Sequence, residues 1–358
     1  MQNVWQIASG ESGRKYTDLF LRHDVMLYGP GRFGPFDETR YQLAVTTGSH
    51  TAANIIYLRR FVADVRPGDI VLLRSGYRVE AVGQVQPDGY SHNETFDDVH
   101  GLDLEHSWRV IWQDHLAEEL TTIQSNEPLF GSRKSIPAFT AVEDEAILRP
   151  VRHLFGQCRE RPLRKLPFAL PKPLSMDELS EALFAHGLGF DAVHRLRGAL
   201  EKQKRLISWY ESSGFAGNRP TEHEVVAHII LPFLSALGWS EQLIAIEWHK
   251  IDLALFSGTP TDFNHCRLVC EAKIMGHGLQ NVLAQAIQYT VNHKLDSCEK
   301  ILLADGGRFY LFRRRDRIWD QEPSGYLNVQ KIRTNHLFPP NTNAVDTIMA
   351  LTPMMISE

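Results

Sequence analysis

The sequence predicts a two-domain α/β protein, with a small β-barrel carrying inserted helices at the N-terminus and an α/β domain at the C-terminus. The chain has 358 residues, enough for two hydrophobic cores. Residues 1–148 alternate short apolar runs with turn clusters, whereas residues 216–358 follow the order helix, strand, strand, helix, strand, strand. A basic connector, residues 149–215, joins the two predicted domains.

Five short apolar runs predict the strands of the first domain. Turn-forming pairs such as Pro67-Gly68 and Ser75-Gly76 separate them, because proline and glycine favour the backbone angles of tight turns. Many short strands between regular turn signals are typical of a small barrel. The predicted strands are residues 4–8, 25–28, 69–73, 79–85 and 108–112.

The first part of the connector, residues 149–172, contains seven arginine or lysine residues against one acid, Glu160, and is punctuated by prolines. Two interpretations stay open for it. It is either a solvated interdomain linker or a segment that follows a phosphate backbone. The cations proposed for backbone contact are Arg159, Arg161, Arg164 and Lys165.

Two helices are predicted in residues 176–213, on either side of Gly187 and Gly189. The second of them is basic. It carries Arg195, Arg197, Lys202, Lys204 and Arg205.

The first helix of the C-terminal domain is predicted to begin after Thr221. Thr221 is a suitable N-cap, and Glu224 completes a capping box. Glu222 falls on the apolar stripe that includes Val226 and Phe233. A carboxylate on a buried stripe is costly unless it is paired or binds a metal ion. Glu222 is therefore a candidate metal ligand, whereas Glu224 is expected only to cap the helix.

Residues 250–256 and 268–270 are apolar runs joined by turn-forming residues, which predicts an antiparallel hairpin. Asp252 lies in the first run, and Glu271 and Lys273 follow the second. Side chains on one strand face recur every second residue, so Lys273 is expected beside Glu271. The hairpin would place two carboxylates and one amine at one end of a strand pair.

This set of side chains suits hydrolysis of a phosphodiester bond. Mg²⁺ prefers carboxylate oxygens, offsets the charge of a phosphate and lowers the pKa of a bound water. We expect Asp252 and Glu271 to bind Mg²⁺, with Mn²⁺ as a substitute, and Lys273 to reach the scissile phosphate or the attacking water. The alternative for Glu271 and Lys273 alone is a chance pair on an exposed strand.

Residues 279–295 have helical periodicity and place Gln285 and Tyr289 on one face, four positions apart. Two further strands are predicted after this helix, at residues 301–304 and 309–312. Gly306 and Gly307 would form the turn between them.

This order of elements and residues resembles the PD-(D/E)XK nuclease superfamily. It is most similar to the nuclease domain of type I restriction motor subunits, where a helix ending in Leu-Gly-Trp, here residues 237–239, precedes the catalytic hairpin. The resemblance covers about residues 216–330. Ile251 departs from the pattern, because the family usually has proline there.

The resemblance implies a role for each site residue. Asp252 and Glu271 would bind Mg²⁺, and Lys273 would assist the attacking water or the transition state. Gln285 and Tyr289 would orient the site and the substrate.

The strand pattern of the first domain resembles the PUA-like barrels, and among them the EVE-type domains. Domains of this group hold a nucleobase in an aromatic pocket, and bacterial EVE-type domains fused to nucleases are linked to modified cytosine. A modified base is read by extruding it from the stack and enclosing it between aromatic rings. The candidates for this pocket are Trp5, Tyr28, Tyr90 and Trp108; the alternative for each is a place in the core.

Composition, charge and cysteine spacing further narrow the class of protein. Hydrophobic residues make up 43% and charged residues 23% of the chain, which is typical of a globular protein. No apolar run reaches membrane-spanning length and no leader is evident, so we expect a cytoplasmic prokaryotic protein. The net charge of −5 argues against a generally basic coat. The cysteines lack zinc-site spacing, and Cys266 and Cys270 are expected to share one strand face in the core.

Together these expectations predict a modification-dependent DNA endonuclease of the type IV restriction kind, acting in antiviral defence. Its substrate would be double-stranded DNA with a modified base, such as modified cytosine. Cutting both strands needs two sites, which predicts a homodimer on DNA. One alternative is a nuclease of the same fold whose first domain senses a nucleotide signal or an RNA, and another is a non-catalytic nucleic-acid-binding protein. The chain lacks a GxxxxGK[ST] loop, which argues against an integral ATP motor.

Overall fold

The computed structural model describes residues 2–11, 14–46, 52–131, 136–212, 220–279 and 281–357. The chain forms two compact units, Met1–Ala169 (the N-terminal unit) and Leu170–Glu358 (the C-terminal unit). Each unit contains a mixed β-sheet with helices, so the α/β class is confirmed. In the described part of the chain, no helix is long and apolar enough to cross a membrane.

The N-terminal unit contains strands and helices in alternation. Its strands are β1 (Val4–Ala8), β2 (Gly10–Glu11), β3 (Arg14–Lys15), β4 (Val25–Tyr28), β5 (Ile70–Ser75), β6 (Arg78–His92), β7 (His106–Trp112) and β8 (Phe139–Ala141). Its helices are α1 (Thr17–His23), α2 (Glu38–Thr46), α3 (Ala52–Ala63), α4 (Ala117–Ile123) and α5 (Glu145–Phe155).

The main sheet of this unit has the strand order β4-β7-β6-β5-β1-β8. Strand β1 runs parallel to β5, and the other neighbours are antiparallel. All five predicted strands are present. Ile70 and Leu72 of β5 pack with Leu120 and Val151 of the helices, because alternate residues of a strand face the same side.

An aromatic cluster fills another part of this unit. Trp5 of β1 stacks on Phe139 of β8 at 5.1 Å between ring centroids, and Tyr28 of β4 lies 6.0 Å from the same ring. Phe61 of α3 contacts both Tyr28 and Phe139. Strands β4 and β8 are at opposite ends of the sheet order, so the sheet curves around this cluster. Closure of the sheet into a PUA-like barrel stays a prediction.

The C-terminal unit surrounds a second mixed sheet. Its strands are β9 (Ile244–Trp248), β10 (Ile251–Phe256), β11 (Cys266–Ala272), β12 (Lys300–Ala304), β13 (Arg308–Arg315), β14 (Ile318–Trp319) and β15 (Gly325–Asn328). Its helices are α6 (Met176–Ala185), α7 (Phe190–Ser212), α8 (Glu222–Val225), α9 (Leu231–Ala236), α10 (Val282–Asn292), α11 (Ala344–Ala350) and α12 (Pro353–Ser357).

The sheet order in this unit is β14-β13-β12-β11-β10-β9, with β15 paired to β13. The predicted hairpin is confirmed, because β10 and β11 pair antiparallel. Strand β11 runs parallel to β12, and α10 forms the crossover between them. Leu255 and Leu268 contribute to a core shared with α7 and α9, whereas Ala254 and Val269 pack in a second core with α10.

One predicted detail of this sheet is wrong. Cys266 and Cys270 lie in different cores rather than on one face. Leu255 pairs with Leu268 while the next residue, Phe256, pairs with Cys266, so β11 carries one extra residue. Such a bulge reverses the alternation of side chains along the strand.

The helix after Thr221 begins as the sequence predicts. The Thr221 hydroxyl accepts a hydrogen bond from the Glu224 backbone N–H at 3.2 Å, and the Glu224 carboxylate accepts one from the Thr221 N–H at 2.8 Å. Between α8 and α9 the chain widens into a π-helix, Val226–Ile230. Pro232 follows this segment and cannot continue the regular hydrogen-bond ladder, because proline has no N–H.

Candidate active site

The hairpin of β10 and β11 brings the predicted acidic residues to one end of the sheet. Asp252 lies at the start of β10, and Glu271 lies near the end of the antiparallel strand β11. The two strands are tied together there by the Ala272 N–H, which donates to Asp252 Oδ2 at 2.7 Å. Residues distant in sequence therefore meet at one point.

Lys273 follows β11 and turns toward these carboxylates. Its Nζ donates to Glu271 Oε1 at 2.9 Å and to the Ala272 carbonyl at 2.9 Å. Glu222 Oε1 of α8 lies 3.7 Å from the same nitrogen. The expectation that Lys273 and Glu271 share a face is confirmed.

Helix α10 supplies the other side of the site. Gln285 Nε2 donates to Glu271 Oε1 at 2.6 Å and to the Tyr289 hydroxyl at 3.0 Å. The predicted common face of Gln285 and Tyr289 is confirmed. The Glu271 carboxylate is therefore held by groups from two elements, β11 and α10.

The second oxygen of Glu271 differs from the first. Oε2 is buried and has no hydrogen-bond partner among the described residues. A buried carboxylate oxygen without a donor is costly, unless a cation satisfies it. This oxygen and the carboxylate of Asp252 form a donor set that fits a hard cation, because Mg²⁺ is held by one or two carboxylates together with waters and substrate phosphates.

The site does not contain a larger ready-made ligand cluster. In the described part of the chain, no group of three or more His, Cys, Asp or Glu side chains is arranged to hold a metal ion. Glu222, the first residue of α8, is also more exposed than predicted: 43% of its side chain is accessible. Its carboxylate contacts the Lys273 ammonium at 3.7 Å.

Burial and charge shift the pKa values in this cluster. Burial raises the pKa of both Asp252 and Glu271, and repulsion between the carboxylates adds to the effect. Burial alone would lower the pKa of Lys273, but its hydrogen bond to Glu271 and the three nearby carboxylates outweigh burial and raise that pKa. Lys273 is therefore an ammonium at neutral pH.

Three of the four aromatic residues predicted for a base pocket, Trp5, Tyr28 and Trp108, are buried. The Trp5 indole N–H donates to Asp69 Oδ2 at 2.8 Å, and the Trp108 N–H donates to the Phe61 carbonyl at 2.8 Å. Tyr28 packs in the aromatic cluster, and burial raises its pKa. Tyr90 is partly exposed and lies 6.3 Å from Trp108 between ring centroids.

A buried histidine, which the sequence did not single out, joins this group. His106 of β7 contacts the Tyr90 hydroxyl through Nδ1 and the Tyr41 hydroxyl through Nε2, both at 2.7 Å. Burial and the neighbouring His92 lower the pKa of His106 to about 4, so the ring is neutral at physiological pH. Only one feature of the sequence indicates this role for His106: it lies two positions before Trp108 in the same strand.

The basic segment proposed for backbone contacts is held within the N-terminal unit. Arg161 forms two hydrogen bonds to the buried carboxylate of Asp24, at 2.5 and 2.6 Å. Arg164 donates its backbone N–H to Asp24 at 2.8 Å and pairs with Asp114. Arg159 and Lys165 have exposed side chains.

Comparison of the chain with protein-family models, with curated proteins and with solved structures found no match in any of the three.

Proposed function

We propose that the protein is a metal-dependent endonuclease that hydrolyses phosphodiester bonds of double-stranded DNA. One observation carries the proposal: Asp252, Glu271 and Lys273 converge at one end of a hairpin, and a buried oxygen of Glu271 has no hydrogen-bond partner among the described residues. Two carboxylates beside an ammonium are the groups that this reaction needs.

Asp252 and Glu271 would hold Mg²⁺, with Mn²⁺ as a substitute. The cation would offset charge on the phosphate and lower the pKa of a bound water. Glu222 contributes negative charge near the site through its contact with Lys273. Gln285 fixes the orientation of the Glu271 carboxylate, and Tyr289 holds the Gln285 amide in place.

Lys273 acts as a cation and hydrogen-bond donor rather than as a base. Its pKa is raised, so it keeps its proton at neutral pH. Its ammonium can donate to a phosphate oxygen whose charge increases in the transition state, or position the attacking water. The proton of that water has to be accepted by a group other than Lys273.

The test compares duplex cleavage by the full chain and by Lys273→Met, with and without Mg²⁺. We expect cleavage only with Mg²⁺ and a loss of about 100- to 1,000-fold in the variant, the usual effect of removing one transition-state donor. Lys294→Met, which changes an exposed lysine of the same unit, is the matched control. Full activity of Lys273→Met would refute the assignment.

We propose further that the N-terminal unit makes cleavage depend on a modified base, such as modified cytosine. The resemblance to EVE-type domains supports this, and Tyr90 is the partly exposed member of the aromatic group. The test compares cleavage of modified and unmodified duplexes by Tyr90→Ala and by the control Tyr77→Ala, an exposed tyrosine of the same unit. Equal cleavage of both duplexes by the unaltered protein would refute modification dependence.

A second candidate is a nuclease whose N-terminal unit senses a nucleotide signal or an RNA. The core position of Trp5, Tyr28 and Trp108 favours it, because these rings are already packed against protein. Activation by an added nucleotide or RNA, without regard to DNA modification, would support this candidate over the first.

A further inference from the structure

Helix α7 has one exposed face that runs along most of its length. Helical residues separated alternately by four and three positions lie on one face. The exposed residues with this spacing are Asp191, Arg195, Gly198, Lys202, Arg205 and Trp209. The opposite face is buried in the core of the C-terminal unit, and Gln203 donates to the Ile229 carbonyl at 2.9 Å. The exposed face is therefore held on a rigid support.

This face carries three cations, Arg195, Lys202 and Arg205. No hydrogen bond or ion pair to the side chains of Arg195, Lys202 or Arg205 occurs among the residues that the structure describes. Arg197, on the flank of the same helix, is in contrast paired with Asp177 and with Glu201. The one acid of the exposed face, Asp191, precedes all three cations.

The C-terminal end of α7 lies near the candidate active site. Gln203 of α7 donates to the carbonyl of Ile229, which lies in the helical segment directly after α8. The Glu224 carboxylate of α8 also adds to burial in raising the pKa of Tyr210. Glu224 caps the helix that begins with Glu222, and Glu222 lies 3.7 Å from Lys273. At 1.5 Å per residue, Arg205, Lys202 and Arg195 follow at about 8, 12 and 22 Å from Tyr210 along the helix axis.

We propose that the exposed face of α7 binds the phosphate backbone of duplex DNA and leads the duplex to the candidate active site. The proposal rests on the proposed nuclease function. Three cations within about 15 Å on one face of a helix complement a regular row of phosphates. Glu201, the acid between them in the sequence, lies on the flank and pairs with Arg197. The basic segment that the sequence put forward for this role has two of its four cations, Arg161 and Arg164, engaged with Asp24 and Asp114.

The test measures binding of a short labelled duplex to the full chain by fluorescence anisotropy, without divalent cations so that no cleavage occurs. The variant combines Arg195→Gln, Lys202→Gln and Arg205→Gln. Each phosphate contact contributes about 0.9 to the slope of log K against log salt. We expect the slope to become less steep by about 2 to 3, and Kd to rise by roughly tenfold or more at physiological salt.

The matched control combines Lys294→Gln, Arg313→Gln and Arg317→Gln, three exposed cations of the same unit. In the sheet, Arg313 of β13 lies opposite Lys300, the first residue of β12. Glu271 lies opposite Leu303, near the other end of β12. We expect this control to keep the slope and the affinity of the unaltered protein. Thermal melting of both triple variants checks that neither set of substitutions unfolds the chain.

An unchanged slope and Kd in the α7 variant would overturn the proposal. Tighter, α7-dependent binding of single-stranded RNA or of an acidic protein than of duplex DNA would overturn the choice of occupant. Cleavage with Mg²⁺ is measured in parallel. If the unaltered protein cuts DNA while the α7 variant binds normally, the surface proposal alone fails; if it binds through α7 without cutting, the nuclease proposal alone fails.

Discussion

At the scale of single residues, the candidate site contains more carboxylates than ammonium groups. Asp252, Glu271 and Glu222 surround one ammonium, that of Lys273. The pKa values of Asp252 and Glu271 are raised, which means that the folded protein holds these carboxylates in their charged form at a cost. Such a cost is expected where carboxylates serve a ligand rather than stability.

Asp252→Asn should therefore stabilise the protein while abolishing cleavage. The asparagine oxygen can still accept from the Ala272 N–H, and one buried charge is lost. We expect the Tm at neutral pH to rise by roughly 1–3 °C. Because the folded-state pKa of Asp252 is raised, the gain is full above that pKa and shrinks as the pH falls through it. Differential scanning calorimetry across pH measures this; a lower Tm at neutral pH would contradict it.

Gln285→Ala should reduce cleavage by about 10- to 100-fold, the usual effect of removing a residue that orients a metal ligand. Glu271 would lose the amide that holds its Oε1 at 2.6 Å. The control is Gln288→Ala, which removes an exposed glutamine of the same helix whose amide donates to Asn292. Single-turnover cleavage rates check the prediction, and equal rates for the two variants would refute it.

Residue contacts were predictable where they depended on local spacing. The contacts of Lys273 with Glu271 and of Gln285 with Tyr289 follow from strand and helix periodicity. The partner of Arg161 was not predictable, because Asp24 is 137 positions away in the chain. The exposure of Glu222 was also missed, since an apolar stripe does not show that its first residue, at the start of α8, is accessible to solvent.

At the scale of elements, apolar runs bounded by turn formers predicted the strands well. Strands such as β8 and β9 were missed because the first is only three residues long and the second is largely accessible to solvent, so neither has a strong periodic signal. The bulge in β11 is another feature that the pattern of apolar residues did not predict. One extra residue at Arg267 moved Cys266 to the other core, and no sequence rule located it.

The segment after α5 should stabilise the N-terminal unit through Arg161. Arg161→Ala leaves the buried carboxylate of Asp24 without its two strongest contacts, and removing one partner of a buried pair costs about 3–5 kcal/mol. Arg159→Ala, in the same segment but exposed, should change the unfolding free energy by less than about 0.5 kcal/mol. Urea unfolding of both full-length variants checks the difference; equal stabilities would contradict it.

At the scale of the whole molecule, the net negative charge does not reveal a local cluster of positive charge. The chain has a net charge of −5, yet one exposed face of α7 carries three cations and, among them, no acid. The candidate site and this helix face both lie in the C-terminal unit, whereas the aromatic and histidine group lies in the N-terminal unit. We therefore expect cleavage chemistry and substrate choice to respond to different sets of mutations.

The most direct test of the central claim is a Mg²⁺ titration of duplex cleavage by the full chain and by Glu271→Gln. Asp262→Asn, which changes a partly exposed carboxylate on the loop of the same hairpin, is the control. We expect Mg²⁺-dependent cleavage by the unaltered protein and by Asp262→Asn, and at least a 100-fold loss in Glu271→Gln with the fold retained. Undiminished cleavage by Glu271→Gln would contradict the account.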